Sequence, residues 1–342
     1  MLNKKIVSAV AGLATVASIA LAGPAAFASN SLTAGGSSFA GGMLKACAAE
    51  WNHNGDAVTY TSSSSGTGRS SFNSGSFDFG AADAPYGSAD RKPADTLYVP
   101  LVAGPIAVAY NVPGVANLNL TPAVLGKILK GTITKWNNSA IKALNTSVTL
   151  PATDITVVYR NTTSGTTENF TNYLAQNAAA GWVKNSSFAT AGGYTGSGSV
   201  GKAASVDVVN YIKGNTGTIG YADLKDTLSS NLKFAAVKNG AGQFVKPSSK
   251  TAGLFIAAQG VHVANNGLVN IDYKANVKGA YNVSLITYGL AHSSKHAKGA
   301  TVKAFFGYVV NSCAPAKQTT LGYVALSGAI KAKAQQLIAL VK

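Results

Sequence analysis

Three times this chain runs an extended stretch into a Gly/Ser/Thr turn and out again with helical spacing. No other feature constrains its fold as much. The turns are TAGGSSF (33–39), YTSSSSGTGRSSF (60–72) and YRNTTSGTTENFTNYL (159–174). After the first, Phe39, Met43 and Cys47 fall at i, i+4 and i+8, the repeat of one helix face. After the third, Phe170, Tyr173 and Leu174 follow Ser164-Gly165-Thr166-Thr167 in the same way. A helix start leaves N–H groups unpaired and holds the positive end of the macrodipole, so each turn is a place that suits an anion. The third turn adds Arg160, whose planar fork can take two oxygens of a tetrahedral oxyanion. FDFGAADAP (77–85) reads as a strand end, with Asp83 two residues before a proline. Alone, a Ser/Gly/Thr cluster is an ordinary turn, and the serine run at 61–76 reads as a flexible linker. Three such starts and one carboxylate, in a chain with only 12 acidic residues, form a more specific set.

Short apolar segments alternate with helical ones throughout, which predicts an α/β chain with mixed sheets. Thr121-Pro122 ahead of Val124, Leu125, Ile128 and Leu129 is a capped helix start with proline at the first position. DITVVY (154–159) predicts a strand leading into the arginine turn, ASVDVVNYIK (204–213) a helix and Gly217–Leu224 a strand. A last helix is predicted from Leu326, with Ile330, Ala334, Leu337 and Leu340 on one face.

Lys4-Lys5, an apolar run from Ile6 to Ala22 and the triplet Ala26-Phe27-Ala28 predict a secretion signal, residues 1–28, cleaved after Ala28. The apolar run is short and Ala/Gly-rich for a membrane span. No cysteine lies beside the cleavage site, so lipid attachment there is not expected. The mature chain would have 314 residues (342 less 28), enough for about two domains with their own cores. Its product would be secreted, either periplasmic or extracellular and associated with the cell surface. The 28 basic residues outnumber the acidic ones by 16. The lysines are scattered and lack the aromatic interleaving of an RNA-binding surface, so a basic solvated face is expected and no nucleic-acid partner. The compartment is oxidising, so Cys47 and Cys313 are expected to form a disulfide between the first helix and a late segment. Two buried thiols are the alternative.

Landmarks spread over nearly all of the mature chain resemble the phosphate-binding proteins of bacterial ABC-type phosphate transporters. In order they are LTAGGSSF (32–39), YTSSSSGTG (60–68), FDFGAADAP (77–85), VAYNVPG (108–114) and LGKILKGTITKWNNSAIKALN (125–145). They continue with LPATDITVVYRNTTSGTTENFTNYL (150–174), GTIGYADL (217–224) and GYVAL (322–326). The resemblance implies a two-lobed periplasmic-binding-protein fold, type II or Venus flytrap, with a hinge of two crossing strands. Lobe one would hold 29–110 plus 284–342, and lobe two 111–283. VAYNVPG and NVSLITYGL (282–290) would be the crossings. It further implies a monomer that takes inorganic phosphate between its lobes and hands it to a membrane permease, with no cofactor, metal or catalysis.

Carried over by motif position, Ser38 and Ser65 would give hydroxyls and Phe39 a backbone N–H. Arg160 would give the positive charge, and Ser164, Gly165 and Thr166 hydroxyls and N–H groups. Asp83 would accept the proton that hydrogen phosphate carries and sulfate lacks. One position departs from the family, which commonly has an acid two residues after the arginine; here it is Thr162. Thr162 predicts an Arg160 less rigidly held, or more positive toward a ligand. Two other readings compete: a binder of another oxyanion, and a surface adhesin or anionic-polymer binder that reuses the fold. Enzyme signatures are weak. GSGSVGKA (196–203) nearly matches a phosphate-binding loop but has Ala203 where Ser or Thr is needed, and reads as a glycine-rich loop of lobe two. His292 and His296 could share a helix face, but HSSKHAK offers no carboxylate.

Overall fold

The computed structural model describes residues 30–342 apart from 52, 54, 89, 179 and 180. The expected signal peptide and its cleavage after Ala28 lie outside these residues. Twelve strands are described: β1 (Leu32–Gly36), β2 (Val58–Ser62), β3 (Phe79–Ala82), β4 (Thr96–Asn111), β5 (Asn119–Leu120), β6 (Thr156–Arg160), β7 (Ser199–Lys202), β8 (Thr218–Asp223), β9 (Lys233–Phe234), β10 (Ala236–Lys238), β11 (Phe244–Val245) and β12 (Ser284–His292). Nine form one mixed sheet in the order β2-β1-β3-β12-β4-β8-β6-β7, with β9 also on β4; β11, β10 and β5 make a small second sheet.

The long strand β4 organises the large sheet. Its apolar run from Val99 to Tyr110 is buried on both faces, as a central strand requires. Over Thr96–Pro105 it pairs antiparallel with β12, and over Ile106–Asn111 with β8. Pro105, which has no N–H to donate, stands where the partner changes, a place that spares the ladder. On one side lie the parallel strands β1, β2 and β3; on the other β6, β7 and β8 are also parallel.

The helices are α1 (Gly41–Glu50), α2 (Ser65–Asn73), α3 (Pro122–Leu129), α4 (Ser139–Lys142), α5 (Gly165–Asn177), α6 (Ser205–Gly214), α7 (Leu224–Ser229), α8 (Ser249–Ala258), α9 (Gly299–Tyr308), α10 (Ala314–Leu321) and α11 (Gly328–Leu340). Local chemistry sets their starts. Ser64, Thr121 and Ser164 each accept a hydrogen bond from the backbone N–H three residues on, capping α2, α3 and α5. Asp207 Oδ2 reaches back to the Ala204 N–H ahead of α6.

Two sequence readings are corrected here. Only the first part of GSGSVGKA is loop; Ser199–Lys202 pair with β6 as an edge strand, because Val200 completes the ladder against Val158. His292 and His296 share no helix. His292 ends β12, His296 lies in the following loop, and their rings stack at 4.8 Å. A carboxylate does meet them from elsewhere in the chain, since His292 Nδ1 lies 3.1 Å from Asp95 Oδ1.

Cys47, on the buried face of α1, is joined to Cys313, which ends a wide helical turn between α9 and α10. The bridge closes 266 residues, and in the chain-entropy view a loop that long removes roughly 5–6 kcal/mol of unfolded-state freedom. The double variant Cys47→Ala/Cys313→Ala should therefore lose about 2–5 kcal/mol in urea unfolding and become insensitive to reductant, which the parent is not.

Candidate functional site

Five loops converge at the carboxyl ends of parallel strands. β1 runs into Ser37 and Ser38, β2 into Ser65, β3 into Asp83, β6 ends on Arg160, and β7 leads to Ser205. Three antiparallel steps, β3–β12, β12–β4 and β4–β8, set the two parallel groups running toward each other, so the first turns of α1, α2, α5 and α6 meet between their carboxyl ends, where α/β proteins hold ligands. Asp83 is 3% exposed and Arg160 2%.

Asp83 accepts four hydroxyl hydrogen bonds. Ser37 (2.5 Å) and Thr287 (2.7 Å) reach Oδ1; Ser65 (3.2 Å) and Thr166 (3.3 Å) reach Oδ2. Burial pushes its carboxyl above the usual carboxylate range, while these hydroxyls and Arg160 act against that shift. Gly165 lies so near that a Cβ there would stand 2.5 Å from Ser65 Oγ and 2.8 Å from Asp83 Cβ. Only glycine lets the start of α5 approach this closely.

Arg160 is held by neutral partners. Nε donates to Ala203 O (2.8 Å), Nη1 to Ser38 Oγ (2.8 Å), and Nη2 to Thr162 Oγ1 (3.1 Å) and Ser63 O (3.4 Å). Thr162 in turn donates to Ala203 O at 3.0 Å, which fixes its own rotamer. The expectation of a loosely held arginine is therefore corrected, because a threonine and two carbonyls do the orienting. Burial lowers the guanidinium below its ordinary value, with Tyr221, Asp83, Asp223 and Asp207 opposing, and an arginine so placed remains charged.

Of the sequence-derived candidates, Ser38, Ser65, Asp83, Arg160, Gly165 and Thr166 meet in this patch through the contacts above. Ser164 is buried beside them as the cap of α5. Phe39 puts its ring in the core, and its carbonyl accepts from Tyr323 at 2.7 Å. Two open grooves flank the patch. One of about 620 Å³ lies along Ser64, Arg69, Arg91 and Thr162, and one of about 260 Å³ reaches Asp83 past Asn169 and Tyr288.

A family profile described as PBP superfamily domain matches residues 22–312. The phosphate-binding protein PstS3 of Mycobacterium bovis is 35% identical over 263 residues, covering 73% of this chain and 70% of the relative. The chain belongs to the family of PstS-type phosphate-binding proteins. PstS 3 of Mycobacterium leprae is 36% identical over 265 residues, with the same coverage of 73% and 70%. Among solved structures, the high-affinity periplasmic phosphate-binding protein PfluDING bound with phosphate superposes with a TM-score of 0.70 at 22% identity, covering 90% of this chain and 93% of that one. A phosphate-binding protein from Stenotrophomonas maltophilia gives 0.68 at 18% identity, with coverage of 90% and 93%. At that identity the superpositions speak to the fold, which is the type II periplasmic-binding-protein fold with mixed sheets.

Sequence reading missed four contributors. Ser37 stands beside the chosen Ser38, and Thr162 was noticed only as a departure. Ser205 donates its N–H to Ser38 Oγ at 3.3 Å and opens α6, a helix start that carries no glycine-rich signature. Thr287 is a buried hydroxyl in the mostly apolar strand β12, which also carries Ser284 and Tyr288, and that polar intrusion is the available signal.

The raised Asp83 pKa has a stability consequence. The native state holds this proton more tightly than the unfolded chain, whose carboxylates titrate near pH 4. The group's contribution is therefore full below about pH 4 and lost as pH rises through the folded value. Calorimetric melting of ligand-stripped protein should show the midpoint of the parent, relative to Asp83→Asn, falling as pH is raised from about 4.

Proposed function

We propose that this protein is a secreted carrier that binds inorganic phosphate between two lobes and delivers it to the membrane permease of an ABC phosphate importer, as a monomer and without catalysing a reaction. The lobes would be 29–110 plus 284–342, and 111–283. The partner change within β4 supports that division, since the strands flanking it belong to one group or the other.

The observation that carries this reading is a buried carboxylate set among oxyanion donors. A site meant for any anion gains nothing from Asp83. For hydrogen phosphate the carboxylate accepts the ligand's own proton. Sulfate would set acceptor against acceptor and leave a buried charge unpaired, at a cost of several kcal/mol, about a thousandfold or more in affinity. Arg160 supplies the full positive charge. Ser38, Ser65, Ser164 and Thr166 supply hydroxyls, and the N–H groups of Phe39, Gly165 and Thr166 supply dipoles that strengthen once water is excluded. Membership in a family named for phosphate binding supports the same ligand.

Calorimetric titration of the stripped protein with phosphate, then sulfate, near pH 8 tests the proposal. One-to-one phosphate binding with sulfate silent is expected. Asp83→Asn should admit sulfate, and Arg160→Ala should weaken every oxyanion by about a hundredfold. If both variants bind phosphate like the parent, the site is misassigned. If the parent binds neither anion but retains a polyanion in a salt-sensitive way, the adhesin or polymer reading replaces this one.

A further inference from the structure

The four hydroxyls on Asp83 are unequal. Ser37 and Thr287 occupy both acceptor directions of Oδ1 at 2.5 and 2.7 Å. Ser65 and Thr166 hold Oδ2 at 3.2 and 3.3 Å, and both belong to the residues proposed to touch phosphate. Ser65 Oγ also accepts the Asp83 N–H at 3.0 Å, so its own proton is free to turn from Oδ2 to another acceptor. One oxygen of the carboxylate is tied to the scaffold and the other is available for exchange.

Thr287 comes from β12, whereas the proposed ligand contacts come from the loops after β1, β2, β3 and β6. It is fully buried, and the β12–β4 register shifts between Thr287 and Tyr288. Such irregularities re-aim a side chain beside a functional site. Here Tyr288 is still paired with Ala82, the last residue of β3, so Thr287 meets the next residue, Asp83.

We propose that Thr287, seconded by Ser37, is a positioning residue that pins Asp83 Oδ1, so that only Oδ2 faces the ligand and the site selects a protonated oxyanion over an unprotonated one. The inference rests on the phosphate reading above. Without the pin the carboxyl can rotate and more readily hold its own proton. A protonated Asp83 is a donor, and a donor welcomes sulfate. Arg160 from β6, Tyr60 from β2 and Tyr288 from β12 face Asp83, with both tyrosines held neutral by burial, and Glu168 of α5 and Lys184 line the groove that reaches it.

The test is titration of parent, Thr287→Val and Thr287→Ser with phosphate and with sulfate from pH 5.5 to 8.5. Valine keeps the shape and removes the hydroxyl. The expected result is a phosphate-to-sulfate affinity ratio about tenfold or more below the parent's in Thr287→Val, the scale of one hydrogen bond to a charged group. Sulfate binding should also persist to higher pH in that variant, while Thr287→Ser keeps the parent's ratio and pH profile. A structural role alone would lower stability but leave both the ratio and the profile unmoved. Ser37→Ala, which removes the other Oδ1 donor, should shift the ratio in the same direction and serves if Thr287→Val does not fold. A parental ratio and profile in both Thr287→Val and Ser37→Ala, or loss of selectivity in Thr287→Ser equal to that in Thr287→Val, overturns the proposal while leaving phosphate binding intact. A parent that binds neither anion, or both alike, overturns the phosphate reading itself and this inference with it.

Discussion

Arg160 and Asp83 are opposite charges buried in the same patch, and among the described contacts they share no hydrogen bond. Each is solvated instead by neutral groups: hydroxyls around the carboxylate, carbonyls and hydroxyls around the guanidinium. Removing a charge from water costs several kcal/mol unless something replaces the water. A direct ion pair would have met that cost and cancelled the site. Dipoles meet it and leave the two charges unpaired with each other, as the role proposed for each requires. Much of the architecture around the patch follows from having to deliver that many short polar side chains to one dry place.

A parallel sheet does this economically. The strands of each parallel set end together, and the antiparallel steps through β12 and β4 point the two sets at each other, so the loops after β1, β2, β3, β6 and β7 meet, all but the β3 loop opening into a helix start. Side chains two or three atoms long suffice because the backbones already stand close, as the space around Gly165 shows. The antiparallel strands β4 and β12 have a different task. They tie the two parallel sets together, and β12 contributes Thr287 from the junction itself. A change in how the two sets sit would therefore be felt at Asp83 Oδ1.

The parts of this site that announce themselves in sequence are those with a local physical signature. Gly-Ser-Ser-Phe, Ser-Gly-Thr-Gly and Ser-Gly-Thr-Thr mark turns with unpaired N–H groups, and periodic apolar residues after them mark helices. The parts that stay silent depend on pairing register. Thr287 is one of several polar residues in a mostly apolar strand, and alternation cannot say which side of the sheet it faces once a register shift intervenes. Ser205 opens a helix with no glycine ahead of it and joins the site only because β7 lies beside β6. The same limit holds for GSGSVGKA: a four-residue edge strand with Val200 as its one apolar residue carries too little pattern to reveal its pairing with β6. His292 and His296 sit four apart, which suggested a helix, but β12 runs through the first of them.

Thr162 shows how one departure from a family pattern changes the electrostatics without loosening the geometry. An acid at this position would orient Arg160 and also offset its charge. Threonine orients it through Oγ1 at 3.1 Å and is itself anchored to Ala203 O, but brings no negative charge. The residues proposed to touch the ligand and orient Arg160 then carry one positive and one negative charge rather than one positive and two negative, with Asp207 and Asp223 acting on Arg160 from outside that set. With less negative charge nearby, the arginine's attraction for a dianion is less opposed. Under the proposed function the carboxylate would become correspondingly more important as the element that distinguishes anions, because a less opposed positive charge would draw phosphate and sulfate alike. If the site takes phosphate as proposed, its selectivity would come from where Asp83 points, and the hydroxyls on its inner oxygen would set that direction.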